Sequence, residues 1–217
     1  LTWTVLRSDA DGNGQVTSGS SGDRLYMYGG MRMGGNNYYA LDLTSLTAPK
    51  MLFTILGGSG AYTNLGQTWS QPVLADIKVG STAKKVLVFG GGYDNCWEND
   101  LCGTTQAGNA LYIVDAYTGT LLWWVTGTSV SASPAPVVNS DMQNSIPTSP
   151  KVLDLDGDGD PDLVSASFDE DTIAWYENKS GHRAILFPSR SPIATDALGA
   201  QPLSAVDLDR DGHIDVL

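Results

Sequence analysis

The sequence is poor in the residues that most hydrolytic and redox chemistry needs. Two histidines in 217 residues, His182 and His213, make a Ser-His-Asp triad a poor fit. Cations are scarce as well: 12 Lys and Arg against 24 Asp and Glu give a formal net charge of −12. An acidic surface repels phosphates, which excludes nucleic acid and anionic membranes as partners. No apolar run is long enough to span a membrane, so no membrane insertion is expected. Helical periodicity is missing too, since no stretch of a dozen residues keeps a 3.6-residue period free of Gly or Pro. Gly57-Gly58-Ser59-Gly60 and Gly90-Gly91-Gly92 have the glycines of a phosphate loop. Neither opens a helix or is followed by Lys-Ser/Thr, so both read as turns or packing points. The carboxylates gather in short loops and do not form an isolated acid–base pair. No catalytic residue is assigned and no enzymatic activity is expected.

What the chain has is turns and alternating apolar segments. Hydrophobic residues make up 41%, enough for a globular core, and 25 Gly with 10 Pro supply many turns. Three segments resemble one another: NNYYALDLTSLTAPKMLFTI from Asn36, GNALYIVDAYTGTLLWWVT from Gly108 and DTIAWYENKSGHRAILFPS from Asp171. Each reads as strand, turn, strand and predicts a hairpin. A strand–polar loop–strand segment precedes each: TWTVLRSDADGNG, QPVLADIKVGSTAKKVLVFGG and SPKVLDLDGDGDPDLVSASF. A fourth such segment, QPLSAVDLDRDGHIDVL, opens a unit that the sequence does not finish. The two types together make a four-stranded unit repeating every 50–70 residues, roughly, which is the signature of propeller blades. The expected fold is therefore all-β, a β-propeller fragment of about three and a half four-stranded blades, incomplete at both ends. Its ring would be completed by residues outside this chain. A β-sandwich or an open β-solenoid is the alternative. No Pro- or Ser-rich linker divides residues 1–217 into separate domains, and Thr17 to Ser21 reads as a long loop inside the first blade. Trp123, Trp124 and Trp175 are core candidates.

Eleven of the 24 acids lie in three of the connecting loops. In Asp154-Leu155-Asp156-Gly157-Asp158-Gly159-Asp160-Pro161-Asp162 the carboxylates occupy positions 1, 3, 5, 7 and 9. Alternate residues of a tightly wound loop can converge on one point, with the glycines supplying positive φ. Ca²⁺ takes six to eight oxygen ligands at about 2.3–2.6 Å. The reading assigns side-chain ligation to Asp154, Asp156, Asp158 and Asp162, and main-chain ligation to Asp160. Two carboxylates about 5 Å apart repel by roughly 1–3 kcal/mol, so without a cation the loop works against folding. Asp207-Leu208-Asp209-Arg210-Asp211-Gly212-His213-Ile214-Asp215 repeats the spacing. There Asp207, Asp209, Asp211 and Asp215 are ligand candidates, and His213 stands at the main-chain position with a solvated side chain. Asp9, Asp11 and Asn13 form a third, weaker match, with Thr17 where the last acid should be. The second blade's loop after Asp76 carries Lys78 in place of an acid and reads as having lost its site. Two Ca²⁺ are thus expected, with a third at the weaker loop. Three bound ions would bring the formal charge from −12 to −6.

The only cysteines, Cys96 and Cys102, flank a five-residue polar loop. A disulfide there would close a small ring, stabilise by about 2 kcal/mol, and imply an oxidising compartment.

GGMRMGGNNYYALDL, LGQTWSQPVL, KKVLVFGGGYD, GNALYIVDAYTGTLLWW and NSDMQNSIPTSPKVLDLDGDGDPD, spread between Gly29 and Asp162, resemble the C-terminal propeller of the type IV pilus tip-associated adhesin and biogenesis (PilY-like) family. The resemblance covers residues 1–150 as PilY-like blades and extends into the calcium loop. Beyond Asp162 the family's Trp-Arg-Phe-Asp hairpin is replaced by Ala174-Trp175-Tyr176-Glu177-Asn178. Residues 151–217 look more like the FG-GAP or VCBS repeats of secreted and adhesive propellers. The resemblance implies an extracellular protein at the cell surface or pilus tip, reached through the periplasm. It also implies a role in pilus biogenesis and surface attachment, with minor pilins, tip proteins or a host or surface receptor as partners. The alternative is a secreted FG-GAP-type module that binds carbohydrate or matrix protein without pili. The hairpin Ala110 to Trp124 also resembles quinoprotein dehydrogenase blades, but no adjacent cysteine pair or cofactor signature accompanies it.

Overall fold

The computed structural model describes residues 3–19, 22–79, 82–98, 107–167, 171–179, 187–188, 190–199, 204–208 and 214–216. The first sheet consists of β1 (Trp3–Ser8), β2 (Arg24–Gly30), β3 (Tyr38–Asp42) and β4 (Lys50–Ile55), hydrogen-bonded in that order. The second follows with β5 (Val73–Val79), β6 (Thr82–Gly90), β7 (Ala110–Asp115), β8 (Leu121–Thr126) and β9 (Val137–Val138). The third holds β10 (Lys151–Leu153), β11 (Asp162–Ser167), β12 (Thr172–Tyr176) and β13 (Ser191–Ala194). A final pair, β14 (Ala205–Val206) and β15 (Asp215–Val216), makes the start of a fourth sheet. Within each sheet consecutive strands are antiparallel, except that β9 adds to β8 in parallel.

The blades stack in sequence order, and the period-2 alternation of the second blade shows how. Along a strand successive side chains point to opposite faces. In β6 Leu87 and Phe89 join one core with Tyr28, Tyr38 and Ala40 of the first blade. Val86 and Val88 join a second core with Leu163, Ala174 and Tyr176 of the third. The same split runs through β7, with Tyr112 and Val114 on one side and Leu111 and Ile113 on the other, and through Trp124 against Trp123 in β8. A strand buried on both faces needs a nearly continuous apolar run, and VLVF with LYIV supplies it. The third blade's far face carries Val164 and Ala166, packed with Ile173, Trp175 and Val216 of β15. The first strands are the neighbours across blades, β1 meeting β5 and β5 meeting β10. That puts them innermost, as in a propeller.

Of the three Trp expected in the core, Trp124 is fully buried, Trp123 nearly so and Trp175 half-buried. Two expected hairpins form as β3–β4 and β7–β8. The third differs. β12 pairs with β13 at Ser191–Ala194, beyond the segment from Asp171 that was expected to supply both strands. Pairing depends on where the returning chain reaches the sheet, which a local apolar pattern does not encode.

The Gly90–Gly92 run is a packing point between blades, whereas Gly57 packs on Asn36 within the first blade. Gly92 has φ +89, and a Cβ there would lie 2.1 Å from the Gln67 carbonyl oxygen. Its neighbours Gln67 and Tyr93 pair across the blade junction, and Gly92 itself pairs with Ile146. Gly92→Ala should therefore lower stability by about 1–3 kcal/mol, through strain and the opened junction. Chemical denaturation would measure the loss, with Gly12→Ala as a comparison at a φ of +72 with no atom within 4 Å of the added Cβ.

Candidate metal centre

The β10–β11 connector is wound by its own carboxylates. Asp154 Oδ1 accepts from the Gly157 N–H at 2.8 Å and its Oδ2 from the Gly159 N–H at 2.9 Å. Asp156 Oδ1 accepts from Asp158 N–H at 3.2 Å, and Asp158 Oδ1 from Asp160 N–H at 2.8 Å. Gly157 and Gly159 take φ of 79° and 88°, the left-handed region that this winding needs. Asp162 closes the loop at the first residue of β11, where it is fully buried. Its Oδ2 accepts from Leu155 N–H at 3.1 Å and its Oδ1 from Asn178 N–H at 2.7 Å.

These bonds gather Asp154, Asp156 and Asp162, each offering one carboxylate oxygen, with all three oxygens within 4.8 Å of one another. Oxygens around one ion at about 2.4 Å lie no more than about 4.8 Å apart, so the donor set fits a hard divalent cation. Burial pushes the Asp162 carboxyl above its ordinary pKa, and the Asp156 charge adds to the rise, against the N–H groups of Asn178 and Leu155. A cation beside it would supply the missing opposite charge. One of the expected side chains, Asp158, stands outside this group, and Asp160, expected to ligate through its main chain, turns its side chain elsewhere. Asp158 caps the following turn, and Asp160 reaches Lys78 of the second blade at 3.3 Å.

The β1–β2 connector repeats the winding bonds of this loop. Asp9 accepts from Gly12 N–H at 2.9 Å and from Gly14 N–H at 2.6 Å. Asp11 Oδ1 accepts from Asn13 N–H at 3.1 Å, and Asn13 Oδ1 from Gln15 N–H at 2.7 Å. The closing acid is Asp23, nearly fully buried and next to the first residue of β2. Its Oδ1 accepts from Ala10 N–H at 2.9 Å, as Asp162 does from Leu155. Asp9, Asp11 and Asp23 bring three oxygens within the same 4.8 Å. Thr17, which holds the ninth position of the sequence pattern, instead donates its N–H to Asp23 at 2.9 Å. The closing acid thus comes later in the sequence than the ninth position, and fixed spacing misses it. The signal that finds Asp23 is its place at the start of the second strand: it immediately precedes β2, and Asp162 and Asp215 are the first residues of β11 and β15.

In the β14–β15 connector Leu208 N–H donates to Asp215 Oδ2 at 2.8 Å, the same closing bond. Asp209, Asp211 and His213 lie outside the described residues. In the second blade Asp76 of β5 instead pairs across the ladder with Lys85 of β6 at 2.8 Å. Cys96 lies in a 3-10 turn, where its N–H donates to the buried Asp94, which also accepts from Ala107 N–H. Asp94 thereby clasps both ends of the loop. Cys102 and the expected bridge lie outside the described residues.

Comparison with known proteins agrees with this repeat geometry. A family model of FG-GAP-like repeats matches residues 154–217. Among solved structures, the crystal structure of the Pseudomonas aeruginosa PilY1 C-terminal domain is similar at 20% identity and a TM-score of 0.50. The match covers 80% of this chain and 29% of that one. No curated protein matches the sequence. No helix among the described residues is long and apolar enough to cross a membrane. With its blades stacked in sequence order and its aspartate loops repeated between first and second strands, the chain has a PilY-like, FG-GAP-type β-propeller fold.

Proposed function

We propose that this chain is a calcium-binding, extracellular β-propeller module of a type IV pilus-associated adhesin or assembly factor, without catalysis of its own. One observation carries the calcium reading: two connectors in different blades have the same hydrogen-bonded loop and converge three carboxylate oxygens in the same way. A turn used only for solubility would not need a buried acid at its closing position, since a buried carboxylate is costly unless paired. Ca²⁺ offsets that cost, which makes the ion a structural clip between strands. Asp23 completes the first loop, so three sites are expected, at Asp154, Asp9 and Asp207. The Cys96–Cys102 bridge belongs to the same extracellular setting. Minor pilins or pilus tip proteins and a surface receptor are the partners in this reading.

Calcium titration by calorimetry should give about three ions per chain, and two for Asp156→Ala with Asp158→Ala. A chain that takes up none removes the calcium reading. Pull-down of minor pilins in Ca²⁺ buffer tests the pilus assignment separately. The second reading, a secreted FG-GAP-type module binding carbohydrate or matrix protein, is favoured by the family match being confined to 154–217. Calcium binding with no pilin capture would select it.

A further inference from the structure

The aspartate loops leave unused a cavity of about 570 Å³ at the inner strands. Thr4 of β1, Val73 and Leu74 of β5 and Lys151 of β10 line it, so it faces the propeller axis. Two cations, Arg32 and Lys151, stand in its wall in a chain with twice as many acids as bases. Neither makes an ion pair among the described residues.

Arg32 is held in place before any ligand arrives. Its backbone has φ 51, a region that side-chain-bearing residues enter at a cost. Thr68 pins it there, its Oγ1 accepting from Met31 N–H at 2.8 Å and Arg32 N–H at 3.2 Å. The guanidinium lies 5.1 Å from the centre of the Trp69 ring, and the indole N–H is tied to Gln67 at 2.9 Å. Arg32 Nε is buried with no hydrogen-bond partner. Ser149 and Gln71 add further polar groups to the wall.

We propose that this cavity binds a carboxylate side chain of an acidic peptide segment, with Arg32 and Lys151 as its binding residues. The guanidinium fork suits a carboxylate, and Lys151 adds a second charge. A peptide fits better than an acidic polysaccharide for two reasons. The indole is already engaged by Arg32 on its face, so it positions the cation more than it offers a platform for a sugar ring. The cavity also reaches the start of β5 at Val73 and Leu74, and among the described residues β5 is hydrogen-bonded to β6 alone, so it presents a strand edge that an extended peptide can join. The proposal uses no residue of the aspartate loops and stands whether or not they bind calcium.

The test is fluorescence anisotropy of a labelled, capped hexaglutamate peptide titrated with the full chain, with hexaglutamine and polygalacturonate as comparison arms. The expected result is saturable binding of hexaglutamate alone, weakened about tenfold or more by Lys151→Gln and by Arg32→Asn, as loss of a hydrogen bond to a charged group predicts. Asparagine tolerates positive φ, so Arg32→Asn removes the cation and keeps the backbone, and thermal melting reports whether it folds. If it does not fold, Lys151→Gln carries the test. Lys50→Gln, at an exposed position on β4, should change nothing. Absence of saturable binding, equal binding of hexaglutamine, preference for polygalacturonate, or unchanged affinity in Lys151→Gln would each overturn the proposal.

Discussion

Asp162→Ala should lower stability by about 3 kcal/mol or more and abolish the response of the third blade to a chelator. Two effects add. The substitution strands the N–H groups of Leu155 and Asn178, and an unpaired buried donor costs about 1–3 kcal/mol. It also removes the most buried oxygen donor of the loop, and with it the stabilisation that a folded-state ligand contributes by mass action. At about 2–4 °C per kcal/mol for a chain of this size, the melting temperature should fall by about 6 °C or more. Asp162→Asn separates the effects. It keeps a carbonyl acceptor but loses the charge, so the chelator response should go while part of the stability stays. Asp23→Ala should behave like Asp162→Ala, because Asp23 closes the first loop with the same bond to the second loop position. The measurement is thermal unfolding in Ca²⁺ and in EDTA for all four proteins. If EDTA leaves the wild-type melting temperature unmoved, the cation has no part in holding these loops. If Asp23→Ala melts like wild type, the equivalence of Asp23 and Asp162 is wrong.

The second large effect lies in the core. Trp124→Ala should cost about 3–5 kcal/mol, the range for truncating a fully buried aromatic. Trp124 is completely enclosed, stacks on Tyr112 at 5.8 Å with the rings 10° apart, and donates its indole N–H to the Pro134 carbonyl at 2.9 Å. Tyr112 in turn packs on Phe89 and Tyr62, so the cavity would open in a continuous aromatic layer between the first and second blades. Trp175→Ala, at a half-buried position, should cost less. Denaturant unfolding of the two variants gives the comparison, and the ranking fails if Trp175→Ala is the more damaging. A single transition for Trp124→Ala would mean that blades unfold together. Two transitions would mean that the first blade detaches, as expected where each repeat relies on its neighbours.

Much of the fold is legible because its determinants are local. A strand's face assignment follows from neighbouring residues, so the alternation in VLVF and LYIV places both cores. A loop whose ligands are two residues apart is likewise readable, since the hydrogen bonds that wind Asp154 to Asp160 span no more than five residues. Loss of acids after Asp76 is equally plain, and in the structure Asp76 itself pairs with Lys85 across the β5–β6 ladder.

Three features were not legible, for one physical reason: each depends on contacts between residues far apart in the chain. β12 takes its partner from Ser191–Ala194, and β9 adds in parallel to β8, because chain return paths and not apolar pattern set pairing. Arg32 and Lys151 meet at one cavity although they belong to different blades. Asp23 closes the first loop from beyond the ninth position, and a spacing rule does not reach that far along the sequence. The sequence by itself determined that strands alternate, that their first connectors carry metal-type carboxylates, and where glycine must sit. The tertiary structure alone decided which distant acid completes the weakest loop. Burial at the start of β2 holds Asp23 beside Ala10, and only a folded sheet creates that position.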